Sequence, residues 1–266
     1  MRFMASGDHH WQFEGRRWAE CVRVHDWIAA EVERRQPDVF LSGGDIFEHE
    51  SVPQDRLAVA AWLTRIAEVC PVIIAKGNHD RERDLSLLGK LSTKHPIISE
   101  EGAGVHVIAG AAIAAVAWPR RALLIADGSF GTDAGAERRA LRAVFGGLRD
   151  ELEAFDGPRL VLGHFMVDGA KSSTGQPICG AEMNVGLDDL ALIGAQIGIM
   201  AHIHAPSAWD VAGADFIYTG SPFRADFGEM EEKSIVVGEL TKAGATWERI
   251  ATPATPMVHV DVAVQP

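Results

Sequence analysis

MRFMASGDHHW (1–11), DVFLSGGDIF (38–47) and PVIIAKGNHD (71–80) share one pattern: a short apolar run, one or two small residues, then a side chain that prefers metals. RLVLGHF (159–165) and IGIMAHIH (197–204) repeat it later in the chain. The apolar runs read as strands, which puts Asp8, His10, Asp45, Asn78, His79, His164, His202 and His204 at strand carboxyl ends, where open α/β sheets bind ligands. A lone Gly-Asp or Gly-His pair is common in loops. Five such segments in order spell a two-metal site.

Between the first three runs the chain alternates strand and helix, a rhythm that predicts a mainly parallel sheet with helical cover. Arg16 to Arg35 reads as a helix with Trp18, Val22, Ile28 and Val32 on its apolar side, stopped by Pro37; Pro53 opens a second, running to about Val69. From about Val105 short strands pair across small-residue turns: HVIAG with AIAAVAW, SAWDV with DFIYT, and SIVVGEL with TWERI. A helix from Ala136 to Ala154 interrupts them. Asp168 to Gly180, polar and glycine-containing, is expected to form a mobile loop. Two sheets packed face to face with helices outside accommodate both halves.

At 266 residues and 47% hydrophobic, the chain can bury one substantial core, so one catalytic domain is expected. Twenty-five basic against 37 acidic residues leave a formal charge of -12, which argues against broad attraction to nucleic acid but permits a local basic patch. Cys21, Cys70 and Cys179 lie far apart, with no framework for disulfides or a zinc ribbon. No apolar stretch reaches the roughly 18 residues of a membrane span, and MRFMAS leads straight into a ligand with no room for a cleaved signal. A cytoplasmic protein without membrane contact is expected.

Residues two apart on an extended backbone point the same way, so Asp8 with His10, and His202 with His204, form pincers. Carboxylate oxygen with neutral imidazole suits manganese, iron or zinc. Asp45, with two oxygens, is suited to bridge two cations about 3.5–4 Å apart, an arrangement that holds a phosphate and generates hydroxide near neutral pH. His79 is expected to face the substrate and protonate the leaving oxygen, with Asp80 accepting from its other ring nitrogen. His9 points opposite its neighbours. Arg81, Arg83, Arg120, Arg121 and Arg224 are candidates for gripping phosphate, Arg81 and Arg224 foremost because they adjoin site segments. Trp11 is read either as a base-stacking platform or as core.

The ordered segments resemble the calcineurin-like metallophosphoesterase superfamily, with its Asp-x-His, Gly-Asp, Gly-Asn-His-Asp, Gly-His and Gly-His-x-His motifs, over roughly residues 1 to 240. Within it, SGGDIFEHESVP, KGNHD and AHIHAPSAWDVAGADFIYTGSPFRADFGEMEEKSIVVGEL resemble the nuclease subunit of SbcD type, the bacterial relative of the meiotic recombination eleven nuclease. Glu48-His49-Glu50 stands where phosphoprotein phosphatases carry Asp-Arg-Gly, which disfavours that branch. The resemblance implies a four-layer α/β/β/α fold and two divalent metal ions, most naturally Mn2+, with Fe or Zn also compatible. It implies one ion held by Asp8, His10, Asp45 and His204 and another by Asp45, Asn78, His164 and His202. Catalysis falls to His79 and Asp80.

Two positions depart from the pattern: Ala201, where the family carries glycine, and Arg81 after the Gly-Asn-His-Asp motif. Residues 1–250 are expected to form the catalytic domain, and 251–266 look like the linker and first strand of a capping domain. DNA is the expected substrate partner. An SbcC-type ATPase subunit and a homodimer are further partners the resemblance suggests. The competing readings are a small-molecule phosphodiesterase or phosphomonoesterase and a non-catalytic DNA-end scaffold; a scaffold needs neither the full ligand set nor His79.

Overall fold

The computed structural model describes residues 1–120, 129–131, 133, 135–171, 183–258 and 260. Arg121, Cys179, His259 and most of the stretch expected to be a mobile loop lie outside them. The chain builds two six-stranded sheets. The first contains β1 (Arg2–Ser6), β2 (Val39–Ser42), β3 (Val72–Ala75), β4 (Ile97–Glu100), β13 (Ser234–Thr241) and β14 (Gly244–Ala251), in the order β14-β13-β1-β2-β3-β4. The second contains β5 (Ala103–Ile108), β6 (Ala111–Val116), β7 (Arg159–His164), β10 (Ile197–Ala201), β11 (Ser207–Val211) and β12 (Ala214–Tyr218), in the order β11-β12-β10-β7-β6-β5. A two-stranded pair, β8 (Met166–Val167) with β9 (Asn184–Val185), stands apart.

β1 to β4 run parallel, as do β6, β7, β10 and β12. The hairpins expected from the small-residue turns form the antiparallel pairs β5/β6, β11/β12 and β13/β14. In two of them the turn residues Ala109-Gly110 and Ala212-Gly213 take the positive φ such turns require. Alternation within the parallel strands sorts side chains between two cores. Phe3, Ala5, Leu41 and Ile73 of the first sheet meet Ile113, Leu160, Leu162 and Ile199 of the second. Met4, Phe40, Val72 and Ile74 point the other way, beneath α1 (Trp18–Arg35) and α2 (Pro53–Ala67). The second sheet's outer face is covered by α4 (Ala136–Ala154), through Leu141, Phe145, Leu148 and Leu152. The result is two mixed sheets flanked by helices, in four layers.

Local signals set the helix ends. Gln36 closes α1 in the left-handed conformation just before Pro37, and Pro53 opens α2 while Asp55 accepts from the Val52 N–H at 3.0 Å. Two short helices, α3 (Glu82–Leu88) and α5 (Leu187–Ala191), and strand β4 are too brief to carry a clear period. No strand follows Ala251 among the described residues. Thr255 N–H instead donates to Glu20 Oε1 at 2.6 Å and Arg23 donates to the Pro253 carbonyl at 2.5 Å, so the tail runs back along α1. No helix among the described residues is long and apolar enough to cross a membrane.

Leu162 is fully buried between the sheets. Leu162→Ala is expected to cost about 2–5 kcal/mol of unfolding free energy, read from urea denaturation with chelator present.

Candidate metal centre

Parallel strands deliver their carboxyl ends to one side, and face-to-face packing brings the ends of β1, β2 and β3 against those of β7 and β10. The approach is close. Cβ atoms built on Gly7 and Gly43 would lie 2.5 and 2.4 Å from the Ala201 methyl, and one on Gly77 would lie 2.0 Å from Asp45 Oδ1. The unusual Ala201 methyl therefore occupies space left by two glycines opposite it. Asp8, His10, Asp45 and His202 all hold positive φ (53°, 44°, 47° and 104°), a strained backbone typical of sites over-determined by their surroundings.

Asp8, His10 and His204 form one group whose donor atoms lie within 4.8 Å of one another, and Asp45, His164 and His202 form another. His10 Nε2 faces His204 Nε2 at 2.9 Å, while Asn78 Oδ1 lies 2.9 Å from His164 Nε2 and 3.0 Å from His202 Nδ1. Asp45 Oδ2 sits between the groups, 3.4 Å from His164 Nε2 and 3.9 Å from His10 Nε2. The donor set fits divalent cations: among the described residues Asp8 Oδ2 is buried with no hydrogen-bond partner, and ring nitrogens converge with no hydrogen available to all of them. Asp8, His10, Asp45 and His204 would hold one cation; Asp45, Asn78, His164 and His202 would hold the other.

The remaining ligand atoms are tied down. Asp8 Oδ1 accepts from His202 N–H at 2.9 Å and Asp45 Oδ1 from His79 N–H at 2.9 Å, leaving one oxygen of each for metal. His164 Nδ1 donates to the Gly43 carbonyl at 2.7 Å, which fixes its tautomer. Burial works against a charged His164, but Asp45 outweighs it and lifts the imidazole to about 9, whereas burial lowers His202 to about 3. Trp118, which carries no motif, lies against His202 with ring centroids 4.6 Å apart.

His79 and Asp80 are both at the site, but the pairing expected between them is absent. His79 Nδ1 donates to the Glu48 carbonyl at 2.6 Å, and its side chain remains 35% exposed, with no hydrogen bond at Nε2 among the described residues. Asp80 instead accepts from Phe47 N–H at 3.1 Å and Gly77 N–H at 3.0 Å, pinning the β2 and β3 loops together. Burial pushes its carboxyl above the usual range, as does Asp45, while those amides oppose. A backbone carbonyl is the nearer acceptor for His79, a contact no side-chain motif encodes.

The arginines divide. Arg81, Arg83 and Arg120 are exposed, Arg81 as the N-cap of α3 beside His79. Arg224 is buried, and its guanidinium donates to the carbonyls of Glu229 (2.9 Å), Thr255 (3.0 Å) and Glu231 (2.6 Å), so it is committed to backbone and not to a phosphate. Trp11 is likewise core, packed on Trp18, His25 and Trp62. Sequence reasoning missed Glu48 and Glu229. Glu48 Oε2 lies 2.5 Å from His10 Nδ1, off the axis of a linear hydrogen bond, and Glu229 Oε1 accepts from His204 Nδ1 at 2.7 Å. With His10 Nε2 turned to His204, Glu48 lies against the far ring nitrogen.

His9 points away from the ligands, as expected, into a buried relay. Ser42 Oγ–H donates to His9 Nε2 (3.1 Å), His9 Nδ1 donates to His25 Nε2 (2.9 Å), and His25 Nδ1 donates to the Cys21 carbonyl (2.8 Å). Each ring then has one donor and one acceptor, which requires both to be neutral. Burial lowers His9 well below its ordinary value and His25 to about 3.

These features define a dinuclear metallohydrolase centre. The calcineurin-like phosphoesterase family model matches residues 1–206, and the chain belongs to that family. It is a metal-dependent phosphoester hydrolase. Among solved structures, a dimetal phosphatase from Danio rerio has the same fold at a TM-score of 0.61 and 13% identity, covering 94% of this chain and 96% of its own. The inner-membrane-complex anchor of Plasmodium aligns at 0.58 and 13%, covering 94% and 84%. A protein from Thermus thermophilus aligns at 0.53 and 12%, covering 88% and 92%. No curated protein matches the chain.

Gly7→Ala is expected to disturb the centre and reduce bound metal, measured by elemental analysis after gel filtration, whereas Ala201→Gly retains it. The neutral histidines set a pH dependence. Their folded pKa values lie below the unfolded value of about 6.5, so the stability they support is present above that pH and falls as pH drops toward 3. His25 ring-nitrogen NMR shifts are expected to stay those of neutral imidazole at pH 5.

Proposed function

We propose that the chain is an Mn2+-dependent phosphodiesterase of SbcD type that cleaves DNA. The observation that carries phosphodiester cleavage is His79: Nδ1 is held by the Glu48 carbonyl, and the partly exposed ring lines the cavity beside His10 and His204. Two bound cations supply Lewis acidity and lower the pKa of water. His79, anchored through Nδ1 to the Glu48 carbonyl, delivers a proton to the departing oxygen. A cavity of about 520 Å³, open to solvent, adjoins the site between His10, His79 and His204 on one side and Arg16 and Arg17 on the other. Its openness suits a polymer, and exposed Arg16 and Arg81 supply cations for phosphates.

DNA as substrate is supported by the SGGDIFEHESVP, KGNHD and YTGSPFRADFGE segments, and with it a cytoplasmic setting and an SbcC-type ATPase partner. A small-molecule phosphoester is the second reading. It is favoured by the net charge of -12 and by the turning of Arg224 into the interior, which removes one expected phosphate contact, and by the packing of Trp11 as core.

The purified chain with Mn2+ is expected to cleave linear double- or single-stranded DNA. Hydrolysis of cyclic nucleotide alone would establish the second reading. His79→Asn is expected to lower kcat by about 10²–10⁴-fold with both metals retained; unchanged turnover removes the acid role.

A further inference from the structure

The segment YTGSPFRADFGEMEEKS (218–234) carries the strongest resemblance to DNA nucleases, and it folds against the metal centre, with Phe223, Ala225, Asp226 and Glu229 also lining the adjoining cavity. Three buried side chains organise it. Arg224 gathers the carbonyls of Glu229, Glu231 and Thr255 and so folds the loop back on itself. That turn carries Glu229, only 5% exposed, to His204, 25 residues earlier in the chain. Lys233, 1% exposed, places Nζ 2.6 Å from Glu229 Oε2, 2.6 Å from Glu231 Oε1, 2.8 Å from Ser221 Oγ and 3.3 Å from the His204 carbonyl. Ser221 Oγ–H donates in turn to Glu229 Oε2 at 3.2 Å.

We propose that Glu229 is the positioning residue for His204, and that 220–233 is folded as an internal clamp whose task is to present it. Oε1 accepts from His204 Nδ1, which holds the ring with Nε2 aimed at His10 Nε2 and Asp8, where one cation binds. Oε2 is held by Lys233 and Ser221, so the carboxylate cannot rotate into the cavity and become a ligand itself. A buried carboxylate and a buried ammonium are each costly alone; together, with both carboxylate oxygens partnered, they form a rigid support. The two cations are supported differently. The histidines of the first are backed by carboxylates, Glu229 and Glu48, whereas His164 is backed by a neutral carbonyl. Loss of Glu229 therefore acts on one cation of the pair. This inference concerns the metal centre and holds whichever phosphoester is the substrate.

Metal-free full-length chain titrated with Co2+, followed by calorimetry and visible absorption, tests it. The wild type is expected to take up two equivalents, and His164→Ala identifies which step belongs to the Asn78–His202 cation. Glu229→Gln, which preserves side-chain size, is expected to weaken the other step by about 10–100-fold and alter its absorption band while leaving the Asn78–His202 step unchanged. Ser221→Ala, a smaller change, is expected to produce a weaker effect of the same kind, and decides the matter if Glu229→Gln does not fold. Wild-type affinity at both steps, even with a lowered Tm, would overturn the positioning role; equal weakening of both would overturn it too. Failure of the wild type to bind metal would instead remove the metalloenzyme reading itself.

Discussion

The structure depends on how closely two sheets meet at their carboxyl ends. Ala201, closing β10, presses its methyl against the backbones of Gly7 and Gly43, which follow β1 and β2, and a side chain at either glycine would collide with it. That contact sets the separation across which Asp8 must reach the His202 amide and Asp45 must reach both His10 and His164. Because close-packed interiors transmit small displacements, an error of one methyl there is felt at every ligand. The positive φ of Asp8, His10, Asp45 and His202 is tolerable only because the two sheets hold their loops from both sides.

Around this frame each ligand is fixed by what lies behind it. Asp8 and Asp45 commit one oxygen to a backbone amide and keep the other for metal. His164 is set by a carbonyl and His204 by a carboxylate. His9, one residue from two ligands, supports their loop through Ser42 and His25. Where a buried polar group here has such a partner, as His164, His204 and Asp45 do, burial strengthens the interaction and does not strand it.

Much of this is legible in the chain. Period and punctuation locate β1 to β3, α1, α2 and α4, and the three hairpins, because long amphipathic helices and small-residue turns carry strong local signals. The residues that converge on the centre stand out because apolar run, small residue, ligand is a local pattern repeated five times. Short elements such as α3 and β4 do not, since four to seven residues hold too little periodicity. The sequence suggests Asp80, its near neighbour, as the partner of His79, whereas a carbonyl 31 residues away is better placed. Arg224 looks like a substrate contact, and Trp11 stays open between base stacking and core, for the same reason: nearness in sequence to a motif does not say which way a side chain turns.

By itself, then, the sequence determined which residues meet at the strand ends, that the fold is α/β, and that the family is the calcineurin-like phosphoesterases, because these follow from residue type, order and local periodicity. Only the tertiary structure decided that Asp45 lies between the two ligand groups, that Glu48 and Glu229 stand behind His10 and His204, and that Arg224 serves a loop instead of a phosphate. Those facts depend on the distance and direction between segments as far apart as 194 residues, set by the packing of one sheet on another.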